Sequence, residues 1–186
     1  MFMHGFERFL GGHGFEVRLN RFALFQNIFR PGEEAHLDVA AGRQLFERFF
    51  ETDVEHIDPA PGAREALDAL SKVASIVVLT NAPAQSRAPR GRWLVKHGFD
   101  YPFVVNAGPK GPPVAALAAK TRGKAAFVDD LLQNLDSVAK AAPAVARFQM
   151  VADLRLRPLA YAAPDQHPRI DDWDQLGKAI AAAIAA

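Results

Sequence analysis

Two adjacent carboxylates, Asp129-Asp130, close the apolar run Ala125-Ala126-Phe127-Val128, and their chemical demand is the sharpest in the chain. Side by side at the lip of a buried strand, two such groups repel each other and resist desolvation, a cost that a divalent cation removes. Neighbouring strand residues point to opposite sides, so one Asp can face a site while the other caps the following helix, with Asn134 one helical turn further on. A plainer reading stands beside this one, with Asp130 as an N-cap and Asp129 as a solvated turn residue, but capping alone explains only one of the pair. A second candidate is Thr80-Asn81, which follows the β-branched run Ser75-Ile76-Val77-Val78-Leu79. A hydroxyl and an amide where a buried strand emerges can cradle an anionic oxygen, and they also suit an ordinary turn or cap. Between the two lies Gly108-Pro109-Lys110-Gly111-Pro112-Pro113, a tight loop that fixes one lysine where it could compensate phosphate charge and carboxylate crowding.

These residues need strands to end where they stand. From residue 58 onward the pattern alternates: helix 63–72, strand 75–79, helix 87–97, strand 103–106, helix 113–120, strand 125–128, helix 131–141 and strand 147–151. Such alternation calls for an α/β fold with a Rossmann-like parallel sheet flanked by helices, with ligands at the carboxyl ends of the strands. The continuous β-branched run at 75–79 reads as a strand buried on both faces. Residues 1–57 read differently, as a helical cap-like region. Phe6, Phe9 and Leu10 form one apolar stripe there, and Leu45, Phe46, Phe49 and Phe50 another, around a loop or short helix at 21–32. The tripeptide His-Gly-Phe at His13 and His97 follows apolar helical stretches and reads as a helix stop, with Gly in the left-handed position. Asp171-Asp172-Trp173-Asp174 reads as the start of a terminal helix. The expected organisation is thus a cap-like region over 1–57 and an α/β core over 58–186.

Composition closes off several functions. With 186 residues, one main core is expected, and a formal net charge of +1 with mixed signs offers no basic face for nucleic acid. The absence of cysteine removes disulfides, thiol catalysis and thiolate zinc sites, and fits a cytoplasmic protein. No stretch is long and apolar enough for a membrane span, the six histidines show no metal-ligand spacing, and no phosphate-binding loop or dinucleotide fingerprint follows a strand.

The series Val77-Val78-Leu79-Thr80-Asn81, then Lys110, then Phe127-Val128-Asp129-Asp130 with Asn134 resembles the haloacid dehalogenase (HAD) superfamily over about residues 58–151. The resemblance implies that Thr80, with Asn81, binds a phosphoryl group, that Lys110 steadies it, and that Asp129 and Asp130 hold Mg²⁺, supported by Asn134. It also implies a Mg²⁺-dependent phosphatase acting on a small phosphorylated substrate.

One element of that family is missing from the series. Members open with an apolar strand ending in Asp-x-Asp, which supplies the nucleophile and the general acid–base. No such motif occurs here, since Met1-Phe2-Met3-His4-Gly5 already reads as cap helix. The first core strand is therefore expected to be missing, and the 186 residues are expected to be a truncated, inactive form of a longer enzyme. The alternative is a non-catalytic phospho-ligand binding or protein-interaction module built on the same fold.

Overall fold

Two pairs of short parallel strands lie in the part of the chain that holds the acidic pair. The computed structural model describes residues 2–186, in which the chain divides into two compact units, a mixed α/β structure. Among the described residues no helix is long and apolar enough to cross a membrane.

The unit comprising Pro61–Asn81, Tyr101–Ala152 and Tyr161–Ala186 contains strands β3 (Val78–Thr80), β4 (Phe103–Val105), β5 (Ala126–Asp129) and β6 (Ala146–Gln149). It also contains helices α3 (Ala63–Leu70), α5 (Gly111–Ala118), α6 (Leu132–Ala141) and α7 (Trp173–Ala185). Strand β3 pairs in parallel with β4, with Val78 opposite Phe103, and β5 pairs in parallel with β6, with Ala126 opposite Ala146. Contrary to expectation, no ladder joins the two pairs among the described residues. Both pairs nevertheless share the same two apolar layers. Leu79 of β3 and Phe127 of β5 pack on Val114, Val138 and Val145, the α5–α6 side. Ile76, just before β3, and Val128 of β5 pack on Leu70, Leu176 and Ile180, the α3–α7 side. Odd and even residues thus face opposite helix layers, as pleated strands require.

The strand expected at 75–79 is shorter and shifted to Val78–Thr80, and it is half-buried where full burial on both faces was expected. Val77 keeps 37% of its surface exposed. The cause is visible in the pairing: β3 has a ladder on one side only, so its other edge and flanking side chains are not covered by a neighbour. Helix α5 begins at Gly111, two residues earlier than its apolar pattern suggests. Its prolines, Pro112 and Pro113, occupy the first turn, where a missing N–H breaks no intrahelical bond. Helix α7 starts as expected, the Asp172 carboxylate accepting from Gln175 N–H at 2.9 Å.

The other unit comprises Met1–Ala60, Ala82–Asp100 and Asp153–Ala160, so it reaches past residue 57 and takes in two later segments. Its helices are α1 (Phe2–Gly12), α2 (Val39–Thr52) and α4 (Arg87–Lys96). A ring cluster joins α1 to α2, with Phe49 fully buried against Phe2, Phe6, Phe9 and Phe50 at centroid distances of 5.3–5.7 Å. This region is not purely helical: β1 (Glu16–Val17) and β2 (Ile28–Phe29) form an antiparallel pair. The connection is organised by fully buried Asn27, whose amide donates to the carbonyls of Arg21 and Ala23 and accepts from Asn20 N–H. Both His-Gly-Phe stops form, with Gly14 at φ 79° and Gly98 at φ 74°, and with Phe15 and Phe99 N–H returning to Leu10 and Leu94 carbonyls.

Candidate phosphate and cation site

Asp129 is the last residue of β5, and its odd position turns it toward the α5–α6 layer, where Lys110 meets it. Lys110 stands immediately before α5, and its Nζ donates to Asp129 Oδ2 at 2.6 Å. The pair is nearly closed off from water, with side-chain exposures of 13% for Lys110 and 3% for Asp129. The second oxygen of Asp129 is also engaged: Oδ1 accepts from Leu131 N–H at 3.0 Å and from Asn134 Nδ2 at 2.9 Å. Three donors therefore converge on one buried carboxylate, a charge-assisted set that fixes its orientation.

The acidic pair does not follow the plainer reading in which Asp130 caps α6. Asp129, and not Asp130, bonds the N–H at the start of α6, while Leu131 occupies the cap position with no side-chain bond of its own. Asp130 opens to solvent on one side. Protein packed on its other side, and next the Asp129 charge, push its carboxyl up to about 6. Its backbone carbonyl accepts from Gln149 Nε2 at 3.1 Å, which holds the loop after β5 to the end of β6.

Thr80 ends β3, and its carbonyl accepts from Asn106 N–H at 2.8 Å. Asn81 is tied into the protein. Its amide nitrogen donates to the Gly108 carbonyl at 2.9 Å, and its oxygen accepts from Asn106 Nδ2 at 2.8 Å. Asn106 also donates to Gly108 O, at 3.1 Å. The two amides thus clasp the loop that leads into Lys110, so Asn81 sits at the site as a holder of that loop. The structure brings Lys110, Asp129 and Asn134 into direct contact and links Thr80-Asn81 to them through Gly108. Asn106, Gln149 and Ser137 are contributors that local sequence reasoning passes over. An asparagine at a strand end is the only signal any of them gives.

Ser137 acts through the backbone. Its Oγ accepts from Gly111 N–H at 3.0 Å, and a Cβ added at Gly111 would stand 2.2 Å from the Ser137 carbonyl oxygen. Only glycine permits this approach of α5 to α6, one residue from Lys110. Gly111→Ala is expected to force the helices apart at a cost of about 1–3 kcal/mol, read as a lower urea midpoint. A Gly111→Ala protein with an unchanged midpoint would show that the contact is looser than described. Adding Ser137→Ala should not rescue it, because the nearest atom is backbone.

The residues fit a divalent cation in one limited sense. Among the described residues no group of three or more His, Asp or Glu side chains gathers into a metal cage. Asp129 and Asp130 form instead a two-carboxylate edge, the kind of set that binds Mg²⁺ with water and phosphate oxygens completing the coordination. Burial, and after it the Asp129 charge, raise Asp130, and a cation there would offset both. Comparison of the chain with protein-family models, with curated proteins and with solved structures finds no match in any of the three.

Proposed function

We propose that this chain carries the phosphate- and Mg²⁺-handling part of a HAD-type phosphohydrolase that acts on a small phosphorylated substrate, and that its two parallel pairs are halves of one Rossmann-like sheet. The observation that carries the reading is the cluster of Lys110, Asp129 and Asn134 at the carboxyl end of β5, with the Asn81–Asn106 clasp holding the lysine loop. Asp129 and Asp130 would hold Mg²⁺, which supplies charge neutralisation to a bound phosphoryl group. Lys110, kept on a stiff loop, would share its charge between Asp129 and a phosphate oxygen, and Thr80 would offer its hydroxyl at the end of β3. Phosphoryl transfer through a covalent intermediate also needs an in-line carboxylate. The 186 residues contain no strand ending in Asp-x-Asp, so they are proposed to bind without turning over.

Calorimetry with Mg²⁺ and inorganic phosphate tests the binding half. Phosphate should bind in the presence of Mg²⁺ and weaken sharply in Lys110→Met; no phosphate binding under either condition would remove the reading. The catalytic half is tested by extending the chain at its N-terminus with an apolar strand ending in Asp-x-Asp. Hydrolysis of an aryl phosphate is the expected result. A folded extended protein that binds phosphate but stays inert favours the second reading, a non-catalytic phospho-ligand binding module. What favours that second reading here is the complete engagement of Asp129 by protein donors.

A further inference from the structure

A cavity of about 470 Å³ opens beside the β1–β2 hairpin, and its lining includes Arg18, Asn20, Arg21, Phe29, Glu34 and His36. Small-molecule sites span roughly 300–1,000 Å³, so the space suits a small ligand. All six residues belong to the unit that holds α1, α2 and α4. Two opposite charges line the cavity, and they do not meet. The Arg21 guanidinium and the Glu34 carboxylate make no hydrogen bond or ion pair with each other or with any other described residue. Arg18 differs, because it is already neutralised: it bonds the Glu16 carboxylate, its Nη1 donates to Glu33 O at 2.8 Å, and it lies 4.5 Å over the Phe29 ring.

The backbone that carries each free charge is tied down. On the Arg21 side, fully buried Asn27 donates to the carbonyls of Arg21 at 2.9 Å and Ala23 at 2.8 Å, and accepts from Asn20 N–H at 3.2 Å. On the Glu34 side, the turn at Gly32 (φ 81°) is closed by Glu33 N–H to Arg30 O at 3.1 Å, and Leu37 N–H donates to Ile28 O at 2.7 Å. His36, two residues after Glu34, bridges antiparallel to Phe29. Its Nδ1 stands 2.8 Å from the Leu37 carbonyl. A carbonyl only accepts, so Nδ1 carries the proton, and the neutral ring keeps Nε2 as an acceptor. Donors thus come from Asn20 and Arg21, and acceptors from Glu34 and His36.

We propose that this cavity binds a small zwitterion of the α-amino-acid class, with its carboxylate on Arg21 and its ammonium on Glu34. The guanidinium fork matches the two oxygens of a carboxylate, and the Asn20 amide next to it adds a donor. An ammonium has three donors and no acceptor, which suits Glu34 together with His36 Nε2. A ligand of one sign satisfies only half of the lining. A plain anion is repelled by Glu34 and a plain cation by Arg21, so the unlike pair selects against both. The Asn27 clasp and the Gly32 turn hold the two backbones before any ligand arrives, which lowers the ordering cost of binding. The cavity shares no residue with the Lys110–Asp129 cluster.

The test titrates the isotope-labelled full chain with each common L-amino acid in turn and follows the backbone amide resonances. At least one should shift Asn20, Arg21, Glu34 and His36 saturably, with a Kd below about 1 mM. The N-acetyl derivative of that amino acid, which lacks the ammonium, and its methyl ester, which lacks the carboxylate, should each bind at least about tenfold more weakly. Arg21→Met and Glu34→Gln should each weaken the parent amino acid by a similar factor while leaving the urea midpoint in place, since neither side chain has a partner to lose. No saturable shift at these residues with any amino acid overturns the proposal. Equal binding of the N-acetyl derivative would show a simple anion site, equal binding of the methyl ester a simple cation site, and either overturns it too. The readout contains neither Mg²⁺ nor phosphate, so its failure leaves the phosphoryl reading to its own test.

Discussion

Asp129→Ala is expected to lower the unfolding free energy by about 3–5 kcal/mol, with loss of phosphate-linked Mg²⁺ binding in calorimetry. The magnitude follows from what is left behind. The substitution strands the Lys110 ammonium, which is 13% exposed, and deprives Leu131 N–H and the Asn134 amide of their acceptor. Removing one partner of a buried, multiply bonded pair costs far more than the pair contributes, because the survivor stays desolvated. Asp129→Asn should be milder, since it retains one oxygen for the helix start while turning an amide group toward existing donors. Urea denaturation gives the comparison directly. A loss under about 1 kcal/mol for Asp129→Ala would mean that the cluster behaves like an exposed ion pair, and the site would lose its central carboxylate.

Phe49→Ala is the second large effect, at about 3–5 kcal/mol, and it arises in the other unit. Phe49 is fully buried and touches four other rings, with centroids at 5.3–5.7 Å. Truncation removes its transfer free energy and opens a cavity that rigid aromatic neighbours collapse into only in part. Phe49→Leu should recover part of the loss, because it refills some of the volume. A chain in which Phe49→Ala shifts the thermal midpoint no more than an exposed-surface substitution would show that the ring cluster does not hold α1 to α2.

The alternating run from residue 58 was legible because each element there announces itself locally, by a β-branched run, a helical stripe or a Pro-Gly break. Strand β5 and helices α6 and α7 fall within a residue or two of their patterns. The Lys110–Asp129 contact could be expected from strand-end logic, since both residues sit where parallel strands finish. What stayed illegible is set by partners distant in sequence. The choice of Asp129 over Asp130 for the α6 N–H depends on which face of the sheet each presents. The holding role of Asn81 depends on Asn106, and the closeness of Gly111 to Ser137 depends on how two helices pack. The shortened strand β3 was misjudged for another reason: apolar composition registers the burial a strand can accept, while burial achieved depends on both neighbours.

The division of the chain into units carries a practical consequence for anyone who wishes to cut it. The backbone passes from one unit to the other after residues 60, 81, 100, 152 and 160. Neither unit is a contiguous stretch, so deleting the Phe-rich N-terminal portion would strip the unit it belongs to of its scaffold and leave residues 82–100 and 153–160 as unsupported excursions. A single proteolytic nick after residue 81, 100 or 152 would likewise leave fragments that each hold pieces of both units. Isolating either one requires rejoining its segments, with linkers in place of the removed passages.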